Sequence, residues 1–268
     1  MKISICIVTH NHGSCISDCI NSIYSHINIS NFEIIIVDDN SVDNTIDMLN
    51  QFEKLNNFKY FINSKSKSLS HNNNFAASEG EGDIFLFLNP DIILTAESNI
   101  LLLTNYLENN TDVGCLACLL KYPDNSIQES FRKFQSINDF ITRGLTGKIV
   151  DDSIRIHRNH INNKMPFETD WLLGAFLMFP KSFFNLLGGF DLRYRLYYED
   201  VDMGYRVKKQ DKKNILHPGT FVIHNYNRSS ASRIFTKYKF YHISSFLKFR
   251  IKFYYNQLKT SVQGSFLV

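Results

Sequence analysis

Three groups of carboxylates mark where this chain of 268 residues could do chemistry. The first is Asp91, in Gly82-Asp83-Ile84-Phe85-Leu86-Phe87-Leu88-Asn89-Pro90-Asp91. The apolar run Ile84 to Leu88 is too short for a typical helix and reads as a strand buried on both faces. Pro90 has no N–H and disfavours α geometry at Asn89, so the strand ends there and delivers Asp91 just past its carboxyl end. Ligands bind at that edge of open α/β sheets. A carboxylate there can hold a metal ion on a nucleotide diphosphate. Asn-Pro-Asp reads equally as a plain turn. The second group is Asp38-Asp39, at the end of the run Phe32–Val37. The third is Glu199, Asp200 and Asp202 in Leu196-Tyr-Tyr-Glu-Asp-Val-Asp-Met-Gly-Tyr-Arg206, at what reads as a helix N-terminus. Carboxylates favour that end of the helix dipole, so the group is either a charged helix start or a general base kept ionised there. Crowded like charges raise a carboxylate's pKa and would tune such a base.

The elements that must position these groups alternate. Ile3–Val8 reads as a strand followed by the polar loop Thr9-His-Asn-His-Gly13, and Ile16, Cys19, Ile20, Ile23 and Tyr24 recur at helical spacing. Phe32–Val37 is a second buried strand. A helix follows from about Asp43, with Ile46, Leu49 and Phe52 on one face, and Phe58–Ile62 is a third strand. A polar loop over 64–74 and a short helix, Phe75–Glu79, lead to Ile84–Leu88. Such alternation predicts a parallel, doubly wound sheet with right-handed crossovers. Strand tips carrying Thr9, Asp38/Asp39 and Asp91 would then form a nucleotide pocket. No Gly-x-Gly-x-x-Gly follows the first strand and no Walker lysine occurs, which disfavours dinucleotide and NTPase readings. Farther on come a helix at Leu101–Asn109 and a strand at Gly114–Leu120. Residues 122–168 form either an acceptor-side excursion or a mobile loop. The apolar stretch Thr169–Phe179 contains Gly174-Ala175, small enough for close approach of backbone or substrate, and Gly188-Gly-Phe-Asp191 is a turn.

The composition, 44% hydrophobic and 21% charged, is that of an ordinary globular protein. Five cysteines make no disulfide framework, and Cys115-x-x-Cys118 lies in an apolar run that reads as buried strand thiols rather than a zinc or redox pair. With neither a signal peptide nor a run of 18 apolar residues, a reducing cytoplasm is the expected compartment. The charge is asymmetric: from Lys212 to Val268 lie ten of the 29 Lys and Arg and none of the 26 Asp and Glu, which suggests an anionic partner. Arg233 to Lys259 reads as a helix with Phe235, Tyr238, Phe246, Phe249 and Phe253 interleaved by Lys237, Lys239, Lys248, Arg250 and Lys252. It either lies on an anionic membrane surface or packs on the body or on the partner of a homodimer. No nucleic-acid module accompanies it.

The ordered set of motifs resembles the inverting glycosyltransferases of the large GT-A family 2, in particular its rhamnosyltransferase-like members. It comprises Ile7-Val-Thr-His-Asn11, Val37-Asp-Asp-Asn-Ser-Val-Asp43, Asn72-Asn-Asn-Phe-Ala76, Gly82-Asp…Leu88-Asn-Pro-Asp91, Trp171…Gly174-Ala175, Gly188-Gly-Phe-Asp191, Tyr198-Glu-Asp-Val-Asp202…Arg206 and His224. The resemblance implies an α/β GT-A (nucleotide-diphospho-sugar transferase) fold, a Rossmann-like doubly wound, mostly parallel sheet with a C-terminal helical extension. Residues 1–230 would be the catalytic domain, with 1–95 the nucleotide-binding half and 96–230 the acceptor half, and 231–268 the extension. It also implies that Thr9, Asp38 and Asp39 bind base and ribose, with Asn11, Asn74, Asn89, Trp171 and Gly174 on the donor side. Asp91 would hold Mg2+ or Mn2+, with His224 a metal or diphosphate contact or else a structural histidine, as His217 is expected to be. The Glu199-Asp200 pair would supply the base, with Asp200 preferred. Two departures stand out: Asn-Pro-Asp offers one carboxylate where many members have Asp-x-Asp, and His71-Asn-Asn-Asn74 replaces a glycine-rich loop. The implied reaction moves a sugar, first dTDP-L-rhamnose and alternatively a UDP-hexose, to a lipid-linked or surface polysaccharide. The family's acceptor is a glycan on undecaprenyl diphosphate, at the inner face of the bacterial plasma membrane. A non-catalytic sugar-nucleotide-binding protein is the rival class, disfavoured by the joint presence of Asp91, Glu199 and Asp200.

Overall fold

A computed structural model of the chain describes residues 1–136, 138, 142, 152–225 and 237–264, with side chains in the last stretch described from 239 to 254. The three apolar runs at the start become strands β1 (Ile3–Thr9), β2 (Phe32–Asp38) and β3 (Phe58–Ile62), connected by helices α1 (Ile16–His26) and α2 (Thr45–Asn50). Helix α3 (Leu69–Ser78) leads to β4 (Ile84–Leu88), the short β5 (Ile92–Ile93), α4 (Ile100–Asn109) and β6 (Val113–Lys121). Then follow β7 (Phe131–Arg132), α5 (Ser153–Ile156), α6 (Arg158–Asn162), β8 (Phe167–Thr169), β9 (Trp171–Leu172), β10 (Phe176–Pro180) and α7 (Lys181–Leu186). Helix α8 (Glu199–Lys209), β11 (Lys213–His224) and the long α9 (Lys237–Gly264) complete the order.

The main sheet runs β3-β2-β1-β4-β10-β6-β11-β5, with β8 added to β11. β1 to β4 pair in parallel, as does β6 with β11, whereas β10 is antiparallel to β4 and β6. Parallel register sets Thr9 opposite Asp38 and Ile7 opposite Leu88, so the first two carboxylate groups emerge at one edge. All five residues of β4 are buried, and helices cover both faces, as its unbroken apolar run requires. Phe87 stacks within 4.9 Å of both Phe184 and Phe190, anchoring the Gly188–Phe190 turn to the core. Cys115 and Cys118 are free, buried thiols on β6, as expected.

Three local points stand out, the first a correction. Helix α3 begins at Leu69 rather than Phe75: Ser68 accepts from the His71 N–H (3.1 Å), which caps the helix and draws the asparagine run into it. The stretch Thr169–Phe179 takes in the end of β8, all of β9 and most of β10, interrupted at Leu173–Ala175. The third concerns the tail, of which 226–236 lie outside the described residues. Phe246 and Phe249 of α9 are buried against Trp171, Tyr194, Tyr198 and Tyr205, with Phe253 packed alongside. The helix therefore docks on the body through those aromatics, while Phe235 and Tyr238 lie outside the described side chains. No helix among the described residues is long and apolar enough to cross a membrane.

Candidate active site

At the tips of β1 and β2 the predicted donor residues form a stapled pair of loops. Thr9 is fully buried, and its hydroxyl pairs with His12 Nδ1 at 3.2 Å. Asp38, also fully buried, accepts from the Ser41 N–H at 2.8 Å and from the Ser41 hydroxyl. Asn11 and Asn40 take left-handed φ values of 57° and 61°, which asparagine tolerates. Asn11 Oδ1 accepts from the Val42 N–H, locking the two loops together. Asp39 accepts from the Lys67 N–H (2.7 Å), the Ser66 hydroxyl (2.7 Å) and Asn63 Nδ2 (3.1 Å). Burial pushes its pKa up, but these donors outweigh burial and hold the carboxyl below its ordinary value. Asn74 has a different partner set: its Nδ2 donates to Phe190 O and its Oδ1 accepts from the Phe190 N–H, so it clamps the Gly188–Phe190 turn.

The second cluster assembles around Asp91. Strand β5 pairs antiparallel with the end of β11, setting His224 opposite Ile92. His224 Nε2 thereby lies 3.2 Å from Asp91 Oδ1, and His224 Nδ1 lies 2.7 Å from Gln128 Oε1. Since Gln128 Oε1 only accepts, Nδ1 carries the proton and donates, and Nε2 turns toward the carboxylate. Two acceptors so placed require a cation between them, a proton or a metal ion. Burial raises the pKa of Asp91, and the His224 contact, followed by the His12 charge, more than offsets it. A histidine whose distal nitrogen is fixed by a side-chain acceptor, beside one carboxylate, fits a divalent ion that takes its remaining ligands from diphosphate and water. Among the described residues no group of three or more His, Cys, Asp or Glu gathers to hold a metal by protein ligands alone. Gln128 and His12 were not singled out from the sequence. A loop reading Thr-His-Asn-His at a strand end was the available signal for His12, whereas Gln128 falls in the stretch without a legible pattern.

The third cluster sits at the start of α8. Asp200 Oδ2 accepts from the Gly174 N–H at 3.0 Å, and Oδ1 from the Val201 N–H at 2.8 Å. The break between β9 and β10 thus has a purpose: it turns a backbone donor toward the carboxylate. A methyl at Gly174 would stand 3.6 Å from Asp200 Cβ, ordinary contact, so the N–H rather than the missing side chain matters here. Glu199 is buried, its Oε2 without a partner among the described residues, and burial, then the Asp200 charge, pushes its pKa up to about 8. Burial raises Asp200 as well, against the pull of its two N–H donors and of Arg132 on β7. The two N–H donors favour the pair's negative charge on Asp200, and burial without a donor favours the proton on Glu199. Trp171 walls this end, its Nε1 donating to Lys133 O at 3.1 Å. Tyr197 and Tyr198, just before the pair, both have φ of 67°. A non-glycine residue in that region costs about 1–3 kcal/mol, strain typical of functional sites. Packing of Tyr198 on His242, Phe246 and Phe249 of α9 offsets it.

One bond ties the Asp91 end to the Asp200 end. The Asn89 N–H donates to Ala175 O at 3.0 Å. Asp91 lies two residues beyond Asn89, and the residue before Ala175 donates to Asp200. A nucleotide diphosphate on Asp91 and an acceptor at Asp200 would meet over this short stretch.

The sequence profile of Glycosyl transferase family 2 matches residues 4–171. The Rhamnosyltransferase WbbL of Escherichia coli K12 is 29% identical over 189 residues, which is 65% of this chain and 68% of that protein. The N-acetylglucosaminyl-diphospho-decaprenol L-rhamnosyltransferase of Mycobacterium tuberculosis is 30% identical over 120 residues, 44% of this chain and 39% of that one. Among solved structures, GalNAc-T7 with UDP, GalNAc and Mn2+ superposes with a TM-score of 0.64 at 17% identity, over 85% of this chain and 44% of that one. The fold is the GT-A fold. With the profile spanning more than half of its length and carrying the Thr9, Asp38/Asp39 and Asp91 clusters, the chain belongs to glycosyl transferase family 2 and is a glycosyltransferase.

Proposed function

We propose that this enzyme transfers a sugar with inversion, L-rhamnose from dTDP-rhamnose in the first instance, to a hydroxyl of a glycan carried on a polyprenyl diphosphate such as undecaprenyl diphosphate. The observation that carries the proposal is the Asn89–Ala175 bond, which sets the Asp91–His224 pair and the Asp200 carboxylate on either side of one short stretch. The names of the two rhamnosyltransferases support the choice of sugar, and the mycobacterial name supports a lipid-diphosphate acceptor.

In this reading the stapled loops bearing Thr9, Asn11, Asp38 and Asp39 receive base and ribose. Asp91 and His224 would hold Mg2+ or Mn2+, which neutralises the charge that develops on the departing diphosphate. Asp200 takes the proton of the acceptor hydroxyl while the hydroxyl oxygen bonds to the anomeric carbon. The bond from that carbon to phosphate oxygen breaks, and its electron pair leaves with the diphosphate. No covalent intermediate forms, so one displacement inverts the centre. Protonated Glu199 keeps a second charge from competing beside the base. A lipid-linked acceptor places the enzyme at the inner membrane face.

The test is thermal unfolding with UDP, dTDP, GDP and CMP nucleotides, each with and without Mn2+. Ligand that binds only the folded state stabilises by RT ln(1 + [L]/Kd), about 2.7 kcal/mol at 100 Kd. Metal-dependent stabilisation by dTDP supports the proposal. The same response to UDP alone makes the donor a UDP-hexose, and no response to any nucleotide favours a non-catalytic protein.

A further inference from the structure

Helix α9 is apolar on two sides. Its inner aromatics are docked, yet Phe240, Ile243, Leu247, Ile251 and Tyr254 are 64%, 41%, 53%, 70% and 47% exposed. Steps of three and four residues put all five on one side of the helix, opposite the buried Ser245 and Phe249, with Phe246 between the two faces. A continuous exposed apolar stripe of this kind marks an interaction surface. Its borders are cationic. Lys239 and Arg250 flank one side at the same helical spacing, and Lys248 flanks the other. Lys248 Nζ donates to Arg193 O at 2.9 Å, and Arg195 stacks 5.6 Å from the Tyr241 ring, so the exposed Arg195 joins that border while Arg193 is paired with Asp191. No Asp or Glu occurs from Lys212 to Val268.

We infer that the outer face of α9 is a docking surface for an anionic lipid bilayer. The stripe would enter the acyl boundary, and the flanking lysines and arginines would meet lipid phosphates. Charge decides against a second copy of this chain as occupant. A self-complementary interface sets the same patch against itself, and here two cationic borders would face each other with no carboxylate from the helix to pair them. The inner face of α9 meanwhile braces Tyr198 and α8, so docking places the catalytic edge beside a membrane-borne acceptor. This surface stands regardless of which sugar is transferred.

The experiment is co-sedimentation of the full chain with phosphatidylcholine vesicles, pure or containing about 30% phosphatidylglycerol, at low and high salt. The wild type should sediment with the anionic vesicles, less so at high salt, and stay in solution with the neutral ones. The exposed double variant Leu247→Ser/Ile251→Ser should keep its melting temperature and lose at least about tenfold in partition. Lys239→Gln/Lys248→Gln should lose about thirty-fold, on the basis of about 1 kcal/mol per cation near an anionic surface. Wild-type chain that ignores vesicles, or variants that bind like it, would overturn the inference. So would a dimer in sedimentation equilibrium that Leu247→Ser/Ile251→Ser dissociates, which would assign the face to a second copy.

Discussion

Replacing Lys252 by Met should unsettle helix α8 from the far side. Lys252 Nζ bonds Asp191 Oδ2 at 3.0 Å and also Asp202 Oδ1 in the first turn of α8. Asp202 is fully buried, and Lys252 is only 15% exposed at its side chain. Removing one partner of a buried ion pair costs about 3–5 kcal/mol. Asp202 would keep Arg206 Nε at 2.7 Å, and Asp191 would keep Arg193, so the residual charges are not abandoned. About half the full penalty, roughly 2 kcal/mol, is the reasoned figure. For a chain of this size each kcal/mol lowers the melting temperature by about 2–4 °C, so Lys252→Met should melt about 4–8 °C lower. Because Asp202 shares a turn with Asp200, kcat should fall while the affinity for donor stays. Lys248→Met is the control for stability, since its exposed side chain reaches a backbone carbonyl, Arg193 O, and its loss should cost less than about 0.5 kcal/mol. Scanning calorimetry and steady-state kinetics read both variants. A Lys252→Met protein that melts within a degree of wild type with unchanged kcat would refute the brace between α9 and α8.

Glu199 should make stability fall as pH rises. Its folded pKa, about 8, lies above its ordinary value of 4.5, so between these values the folded state binds more protons than the unfolded one. Its contribution is full below the unfolded pKa and is lost as pH rises toward the folded one, by at most about 4 kcal/mol between pH 5 and 8. Urea titrations across that window should show the slope in wild type and its flattening in Glu199→Gln; equal slopes would remove the buried proton. Gln128→Leu strips the acceptor from His224 Nδ1, and loss of such a support lowers metal affinity by about 10–100-fold. A Mn2+ titration of nucleotide-induced stabilisation should show the midpoint move by that factor, and an unmoved midpoint would separate His224 from the metal.

Much of this site was legible because single residues dictate it. Pro90 ends β4 and thereby fixes where Asp91 emerges, and unbroken apolar runs marked β1, β2 and β4 as buried parallel strands. His224 was harder, since its place beside Asp91 depends on β5 pairing with β11 across most of the chain, which local pattern does not encode. Gln128 and Arg132 lie where no periodicity appears, and only the fold brings them to His224 and Asp200. The asparagine run before Phe75 conceals a helix because asparagine is a poor helix former, and the Ser68 cap and tertiary burial override that preference. In the tail, apolar residues fall on both sides of α9, so spacing alone leaves its inner face undetermined. The body selects Phe246 and Phe249 by offering Tyr198 and Tyr205 to pack against.

Asp200 is the proposed base, and Asp200→Asn tests that role with the smallest change in shape. Asparagine fills the same volume but keeps one oxygen to accept from the Gly174 or Val201 N–H and gives up the other bond; the variant should melt somewhat lower while Kd for the nucleotide sugar stays unchanged by calorimetry. Loss of a positioned general base removes about 10²–10⁴-fold of rate, and sugar transfer to a lipid-linked acceptor should fall by at least the lower figure. Turnover within a few-fold of wild type, with donor bound equally well, would contradict the assignment and move the base to another carboxylate of the cluster.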